Sequence, residues 1–382
     1  MSILNVNQIQ PVGSGQTVTI SAANITASSS TISASSFVGG VTVTSGNLSG
    51  ISSVSTTNLT VNGNAYPSSG TLSSRNKLIN GNFDVWQRGT SFSSTVSGAS
   101  AYTADRWKAG GGTSTTVSRQ AFTLGQTDVP GEPTYYARWA ITNNSQNYEF
   151  QQRIEDVRTL AGKKATISFY ARLTTGTITV GVRTVQYFGT GGSPSSSVIV
   201  SAGTPSLTSS WQKFTYTIDI PSISGKTLGS DNNHSLWVGF QVSDTNTGTI
   251  EIAQFQVEEG SVATPFERRS YGDELERCER YFQLVDSFTA TGYGSGVGIS
   301  MALVFRKQMR ASPSLSVTGV LYVTDSVATD YVQSSVTGSI VSNNRNERGC
   351  RMAAANFSGL TNHRPYQARP GLGGEIQLSA EL

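Results

Sequence analysis

The chain has 382 residues and a net charge of +3, with 13% charged residues, 36% hydrophobic residues and 40 glycines. So small a positive excess excludes a dedicated nucleic-acid binder, whose basic face dominates the count. No run approaches the about 18 apolar residues of a membrane-spanning helix, and the absence of long amphipathic helical patterns beside much Ser, Thr and Gly predicts an all-β protein.

The start, MSILNVNQIQPVG, lacks the basic and apolar regions of a signal peptide, so synthesis in the cytoplasm is expected. Residues 1–74 contain no Asp, Glu, Lys or Arg; the first charge is Arg75. Single aliphatics punctuate a Ser/Thr/Gly/Asn background, alternating in Thr17-Val18-Thr19-Ile20 and Val41-Thr42-Val43-Thr44 and recurring every third residue at Leu48, Ile51 and Val54. A lone chain of this kind buries too little apolar surface to offset its ordering entropy. Three chains wound together, aliphatics inside, satisfy the pattern, so residues 1–74 read as an extended trimerisation arm and the protein as a homotrimer. Ile3, Leu4, Val6 and Ile9, in its most apolar piece, are the candidate plug into a larger assembly.

All five Trp fall between residues 75 and 268. Alternating runs such as Ala165–Ala171, Thr177–Val182, Gln212–Ile218, Leu236–Val242 and Ile250–Val257 have the period of half-buried strands. A jelly-roll β-sandwich is the natural architecture for 75–268. Ser270-Tyr271-Gly272-Asp273 reads as a capping box, with Leu275, Cys278, Tyr281 and Phe282 on one face of a linking helix over 269–282. Residues 283–382 return to strands, in Gly298–Phe305, Ser314–Val323 and Glu375–Leu382, and form a smaller β tip domain. Cys278 and Cys350 match no metal or redox spacing and read as free thiols.

Glycan recognition sets an aromatic face against a pyranose, flanked by amide hydrogen bonds. Trp211, Trp237 and Tyr187, with Asn232 and Asn233, are the candidates. Arg345, Arg348, Arg351 and Arg364 form a distal basic surface suited to anionic surface polysaccharide. Glycan hydrolysis requires two carboxylates across a cleft; the pairs Glu155-Asp156 and Glu258-Glu259 are the nearest sequence offers, and strand neighbours point to opposite faces. His234 and His363 sit in no catalytic or metal motif, and Gly292–Gly296 reads as a β turn or bulge. A non-catalytic protein without cofactor is expected.

The segments Asn80–Thr90 (NGNFDVWQRGT) and Tyr102–Trp107 (YTADRW), with Phe255–Glu267 (FQVEEGSVATPFE) and Glu276–Phe282 (ERCERYF), resemble the entry and exit signatures of a domain common in bacteriophage fibres. Met309–Pro313 is similar to a segment of the tip domains that follow, and the arm to attachment segments of cyanophage and marine-phage fibres. The resemblance implies a homotrimeric virion tail fibre with a carbohydrate-binding-module-like jelly roll. Such a fibre attaches through its arm to tail or baseplate proteins and adheres to host polysaccharide. The resemblance also allows a structural calcium, for which Asp84, Asp105 and Glu258 are the candidate ligands. A neck or head fibre of purely structural role, or a polysaccharide-degrading tail enzyme, are the alternatives.

Overall fold

Alternating apolar positions between Ser91 and Glu259 are buried by stacking two six-stranded antiparallel sheets. The computed structural model describes residues 58–61, 64–67 and 73–382, apart from 95–99, 111–113, 144–147, 243–246, 287–289, 295–297, 326–329, 334–336, 358 and 372–373. Ile3, Leu4, Val6, Ile9 and most of the uncharged arm therefore lie outside the described residues. From the end of the arm, β1 (Asn58–Val61) pairs antiparallel with β2 (Asn64–Pro67).

The sandwich strands are β3 (Ser91–Ser94), β4 (Ser100–Tyr102), β5 (Trp107–Gly110), β6 (Thr115–Ala121), β7 (Tyr135–Ile141) and β8 (Tyr148–Glu155). They continue with β9 (Lys164–Gly176), β10 (Gly181–Tyr187), β11 (Val198–Gly203), β12 (Gln212–Asp219), β13 (Ser235–Val242) and β14 (Gly248–Glu259). One sheet has the order β12-β9-β14-β7-β6-β3, the other β11-β10-β13-β8-β5-β4. From β7 onward the chain crosses between sheets in two interleaved Greek keys, the order of a jelly roll. Trp107, Phe150, Phe169, Phe240 and Phe255 fill the space between the sheets, each essentially inaccessible to solvent. The predicted strand at Thr177–Val182 begins only at Gly181; Ile178 and Val180 are buried but lie outside the ladder.

The helix α1 (Tyr271–Glu279) starts as its capping box specifies, the Ser270 hydroxyl accepting from the Asp273 backbone N–H at 3.2 Å. It is shorter than expected, because Phe282 already belongs to β15 (Phe282–Val285). Beyond it lie β16 (Ala290–Gly294), β17 (Gly298–Val304), β18 (Ser314–Thr318), β19 (Leu321–Thr324), β20 (Asp330–Gln333), β21 (Thr337–Arg345), β22 (Gly349–Ala355), β23 (Pro365–Pro370) and β24 (Glu375–Ser379). These make a three-stranded sheet, β15-β24-β18, and a seven-stranded sheet, β20-β19-β23-β16-β17-β22-β21. The predicted single run Ser314–Val323 breaks at Gly319 (φ 67°), so β18 and β19 enter different sheets. Met301, Leu303, Met352, Tyr366, Ile376 and Leu378 form a second core.

The phage-like signature residues are structural. Asn80, buried in a left-handed conformation (φ 57°), donates from its amide to the Val85 and Asp105 carbonyls at 2.8 and 3.0 Å. Its own carbonyl accepts from the Trp107 indole at 2.9 Å, and its backbone N–H donates to Glu274 of α1. A Cβ on Gly81 would run into the Phe255 carbonyl, which is why the turn requires glycine. Burial pushes the Asp105 carboxyl above its usual range despite Arg88 and Gln87 beside it. Arg106 pairs not with its neighbour Asp105 but with Glu381.

That pair belongs to a joint between the sandwich and the second core. After Ser379 the chain leaves its sheet and runs against the sandwich, where Glu381 also meets Arg88 at 3.1 Å. The Leu382 carbonyl accepts from Tyr102 at 2.5 Å and Arg153 at 2.9 Å. The Arg106 guanidinium stacks 3.4 Å from the Tyr281 ring centroid, and Arg88 lies 3.5 Å from that of Phe282. Arg280 forks the Glu155 carboxylate at 2.8 and 3.0 Å, and Tyr281 donates to it at 2.8 Å.

Candidate functional site: an aromatic and ion-paired sheet face

Period-two alternation sends Ile250 and Ile252 of β14 into the core and Glu251 and Ala253 to the outer face of its sheet. A bulge between Ala253 and Gln256, with Gln254 at φ 50°, shifts the phase so that Phe255 also enters the core. Glu251 is 0% exposed and sits between two arginines. Arg138 on β7 donates to it from Nε at 2.8 Å and Nη2 at 2.5 Å, and Arg172 on β9 from Nε at 2.6 Å. Burial, the largest single influence, works against the Arg138 charge, but the hydrogen bond and charge of Glu251 together with Tyr136 outweigh it and raise the guanidinium pKa above its ordinary value. The Arg172 guanidinium lies 5.0 Å from the Trp211 ring centroid.

Trp211 meets Tyr136 edge-on at 5.3 Å and Phe122 at 5.4 Å, and Phe122 meets Tyr136 at 4.7 Å. Tyr170 packs against the same cluster. Beside it opens a cleft of about 290 Å³ lined by Tyr170, Lys213, Gln254 and Arg268 among others. The face thus joins the half-exposed rings of Trp211, Phe122 and Tyr170, backed by the buried Tyr136, to guanidinium, ammonium and amide groups, the combination that holds a sugar by ring stacking and hydrogen bonds.

The other predicted aromatics lie on the opposite sheet. Tyr187 on β10 and Trp237 on β13 are 5.0 Å apart at 35°, and Arg153 stacks on Trp237 at 4.1 Å. Asn233 is near their end of the sheet, but its side chain is taken up by Thr190, accepting from the backbone N–H at 2.9 Å and donating to Oγ1 at 2.8 Å. The Asn232 side chain is exposed, and its carbonyl accepts from Arg310 at 3.2 Å. The fold therefore groups Tyr187, Trp237, Asn232 and Asn233 and separates them from Trp211.

The distal arginines divide too. Arg364 lies 3.5 Å from Asp325, while Arg348 and Arg351 are exposed. Arg345 ends β21, in a stretch whose side chains lie outside the described residues. Asp84, Asp105 and Glu258 do not converge: among the described residues no group of three His, Cys, Asp or Glu side chains is placed to hold a metal ion. Glu258 is held instead by Thr264, whose N–H and hydroxyl donate at 2.9 and 2.7 Å. Among the described residues, no helix is long and apolar enough to cross a membrane. Cys278 and Cys350 are free and buried, and burial pushes both thiols up.

Sequence reasoning passed over Arg138, Arg172 and Glu251. Their signal was a lone charge between apolar neighbours on three strands: Ala137-Arg138-Trp139, Ala171-Arg172-Leu173 and Ile250-Glu251-Ile252. A charge there needs a partner on the adjacent strand.

No family model matches the chain, and no curated protein does. Among solved structures, the enzymatically active domain of bacteriophage CBA120 tailspike protein 4 matches at 14% identity and a TM-score of 0.30, over 51% of this chain and 24% of that one. The chain thus spans about a quarter of that tailspike domain. The CBM22-1 xylan-binding domain from Paenibacillus barcinonensis matches at 16% identity and a TM-score of 0.29, over 45% and 94%. A putative sugar-binding protein from Bacteroides thetaiotaomicron matches at 12% identity and a TM-score of 0.28, over 49% and 100%. The structural neighbours of this jelly roll therefore include a phage tailspike domain and carbohydrate-binding modules.

Proposed function

We propose that this chain is a non-catalytic virion fibre protein of a bacteriophage, trimeric through its uncharged arm, whose jelly roll binds host-surface glycan. The observation that carries the binding role is the outer face holding Trp211, Tyr136 and Tyr170 beside the Arg138–Glu251–Arg172 bridge and an open cleft. The bridge holds both guanidinium groups in place before any ligand arrives, which lowers the ordering cost of binding. Weak binding per chain is multiplied in a trimer, because three faces engage one polymer surface. The uncharged arm and the entry and exit signatures support attachment to tail or baseplate.

A binding rather than hydrolytic role is supported by the engagement of the candidate carboxylates. Glu155 is held by Arg280 and Tyr281, Asp156 by Arg158, Glu258 by Thr264 and Glu259 by Lys163. Release of reducing sugar from host exopolysaccharide would overturn it.

The test is calorimetric titration of the full chain with xylan oligosaccharides, mixed-linked β-glucan oligosaccharides and exopolysaccharide from a susceptible host. Trp211→Ala and Arg172→Gln are each expected to weaken the bound ligand about tenfold, the worth of one stacking or charged contact. Unchanged affinity in both variants would remove the face from the proposal. Light scattering on the full chain is expected to return three chain masses; a monomer would remove the fibre reading.

A further inference from the structure

The seven-stranded sheet carries a second cleft, of about 530 Å³, remote in sequence from the sandwich face. Ile299 and Met301 on β17 and Met352 and Ala354 on β22 turn into the second core. Alternation therefore places Ser300, Arg351, Ala353 and Ala355 on the outer face. Register sets Tyr293, Ser300 and Ala353 side by side across three strands. The floor is thus made of small side chains, Ser300, Ala353 and Ala355, which leave room for a ligand on the sheet itself. One wall is Tyr293, 67% exposed. Beside it His363 is held by a bond from its backbone N–H to the Gly294 carbonyl at 3.0 Å.

The other wall is Arg351. Its Nε donates to the Ser300 hydroxyl at 2.6 Å, which fixes the guanidinium plane. No carboxylate among the described residues lies within ion-pairing distance of it, whereas Arg364 is committed to Asp325. An oriented guanidinium with no carboxylate partner among the described residues, facing an open cleft with an exposed phenol ring, is complementary to a planar anion attached to a ring with an apolar face.

We infer that this cleft is a second, independent saccharide site, selective for a hexuronate whose pyranose lies on Tyr293 and whose carboxylate is forked by the two Nη groups of Arg351. It differs in chemistry from the sandwich face, where both arginines already share the Glu251 carboxylate. Distinct sites on one chain allow neutral and acidic units of a host polymer to be held together.

The experiment is titration of the full chain with tetragalacturonate, its methyl ester and a sulfated neutral tetrasaccharide at low and high salt. The proposal expects tetragalacturonate to bind, the ester to bind at least tenfold more weakly, and affinity to fall with salt. Arg351→Gln and Tyr293→Ala should each lower affinity about tenfold, and Tyr293→Phe should retain it, because stacking needs the ring and not the hydroxyl. Trp211→Ala should leave this binding unchanged, so failure of the sandwich site and of this one read out separately. Absence of tetragalacturonate binding, full binding in Arg351→Gln and Tyr293→Ala, or stronger binding of the sulfated sugar would overturn the assignment. A change in solution mass of these two variants would also do so, by showing that another copy of the chain covers the face.

Discussion

Arg106→Ala is expected to lower folding stability by about 3–5 kcal/mol, the cost of breaking a buried ion pair by removing one partner. The side chains of Arg106 and Glu381 are 1% and 5% exposed. The guanidinium also donates to the Arg153 carbonyl at 2.5 Å and stacks on Tyr281. Burial, the largest single influence, disfavours its charge, yet the Glu381 carboxylate together with Tyr281 and Tyr102 outweighs it and raises the guanidinium above the ordinary arginine range. Truncation leaves Glu381 with Arg88 alone and strips a stacked lid from Tyr281. Because these contacts join the sandwich to the last residues of the chain, two unfolding transitions should replace one. Urea unfolding followed by tryptophan fluorescence and far-UV dichroism checks both points; a loss below about 1 kcal/mol would show the pair to be dispensable. The triple variant Arg88→Met, Arg106→Met and Glu381→Leu should recover most of the loss, since both arginines share the Glu381 carboxylate and apolar replacement of a whole buried triad is often neutral.

Trp107→Ala is expected to cost about 3–5 kcal/mol by opening a cavity at the centre of the jelly roll. Trp107 is fully buried and packs against Phe83, Phe150 and Phe255 at centroid distances of 4.9, 5.1 and 5.3 Å. Its indole N–H is one of two donors to the Asn80 carbonyl, the other being the Phe83 backbone N–H at 3.1 Å, so truncation also removes one buried hydrogen bond from the loop that meets α1. Trp107→Phe keeps most of the volume and should cost less than half as much. Denaturant midpoints of the two variants give the comparison; equal losses would assign the effect to the lost hydrogen bond rather than to the cavity.

These effects fall on the motifs that resemble phage-fibre signatures. Asn80, Gly81, Asp105 and Arg106 build the seam where loop, helix and chain end meet, and Gly81 lets that loop lie against the Phe255 backbone. Their chemistry explains a fold, while Trp211, Arg138, Arg172 and Glu251 lie outside the motifs, and Thr264, Pro265 and Phe266 of the exit signature line the adjoining cleft.

The chemistry of individual segments was enough to determine the all-β class, the capping box at Ser270 and most strands of the sandwich. Strand alternation and cap hydrogen bonds act between residues close in the chain, so they can be read one segment at a time. Only the tertiary structure decided that Trp211 and Trp237 lie on opposite sheets, that Glu251 bridges Arg138 and Arg172, and that Glu381 seals Arg106. It also divided Ser314–Val323 between two sheets at Gly319. Each of those outcomes depends on which distant strands become neighbours and in what register. In a jelly roll that neighbourhood is set by crossovers between sheets, where one shared core must bury every apolar face at once, and no single segment carries that information.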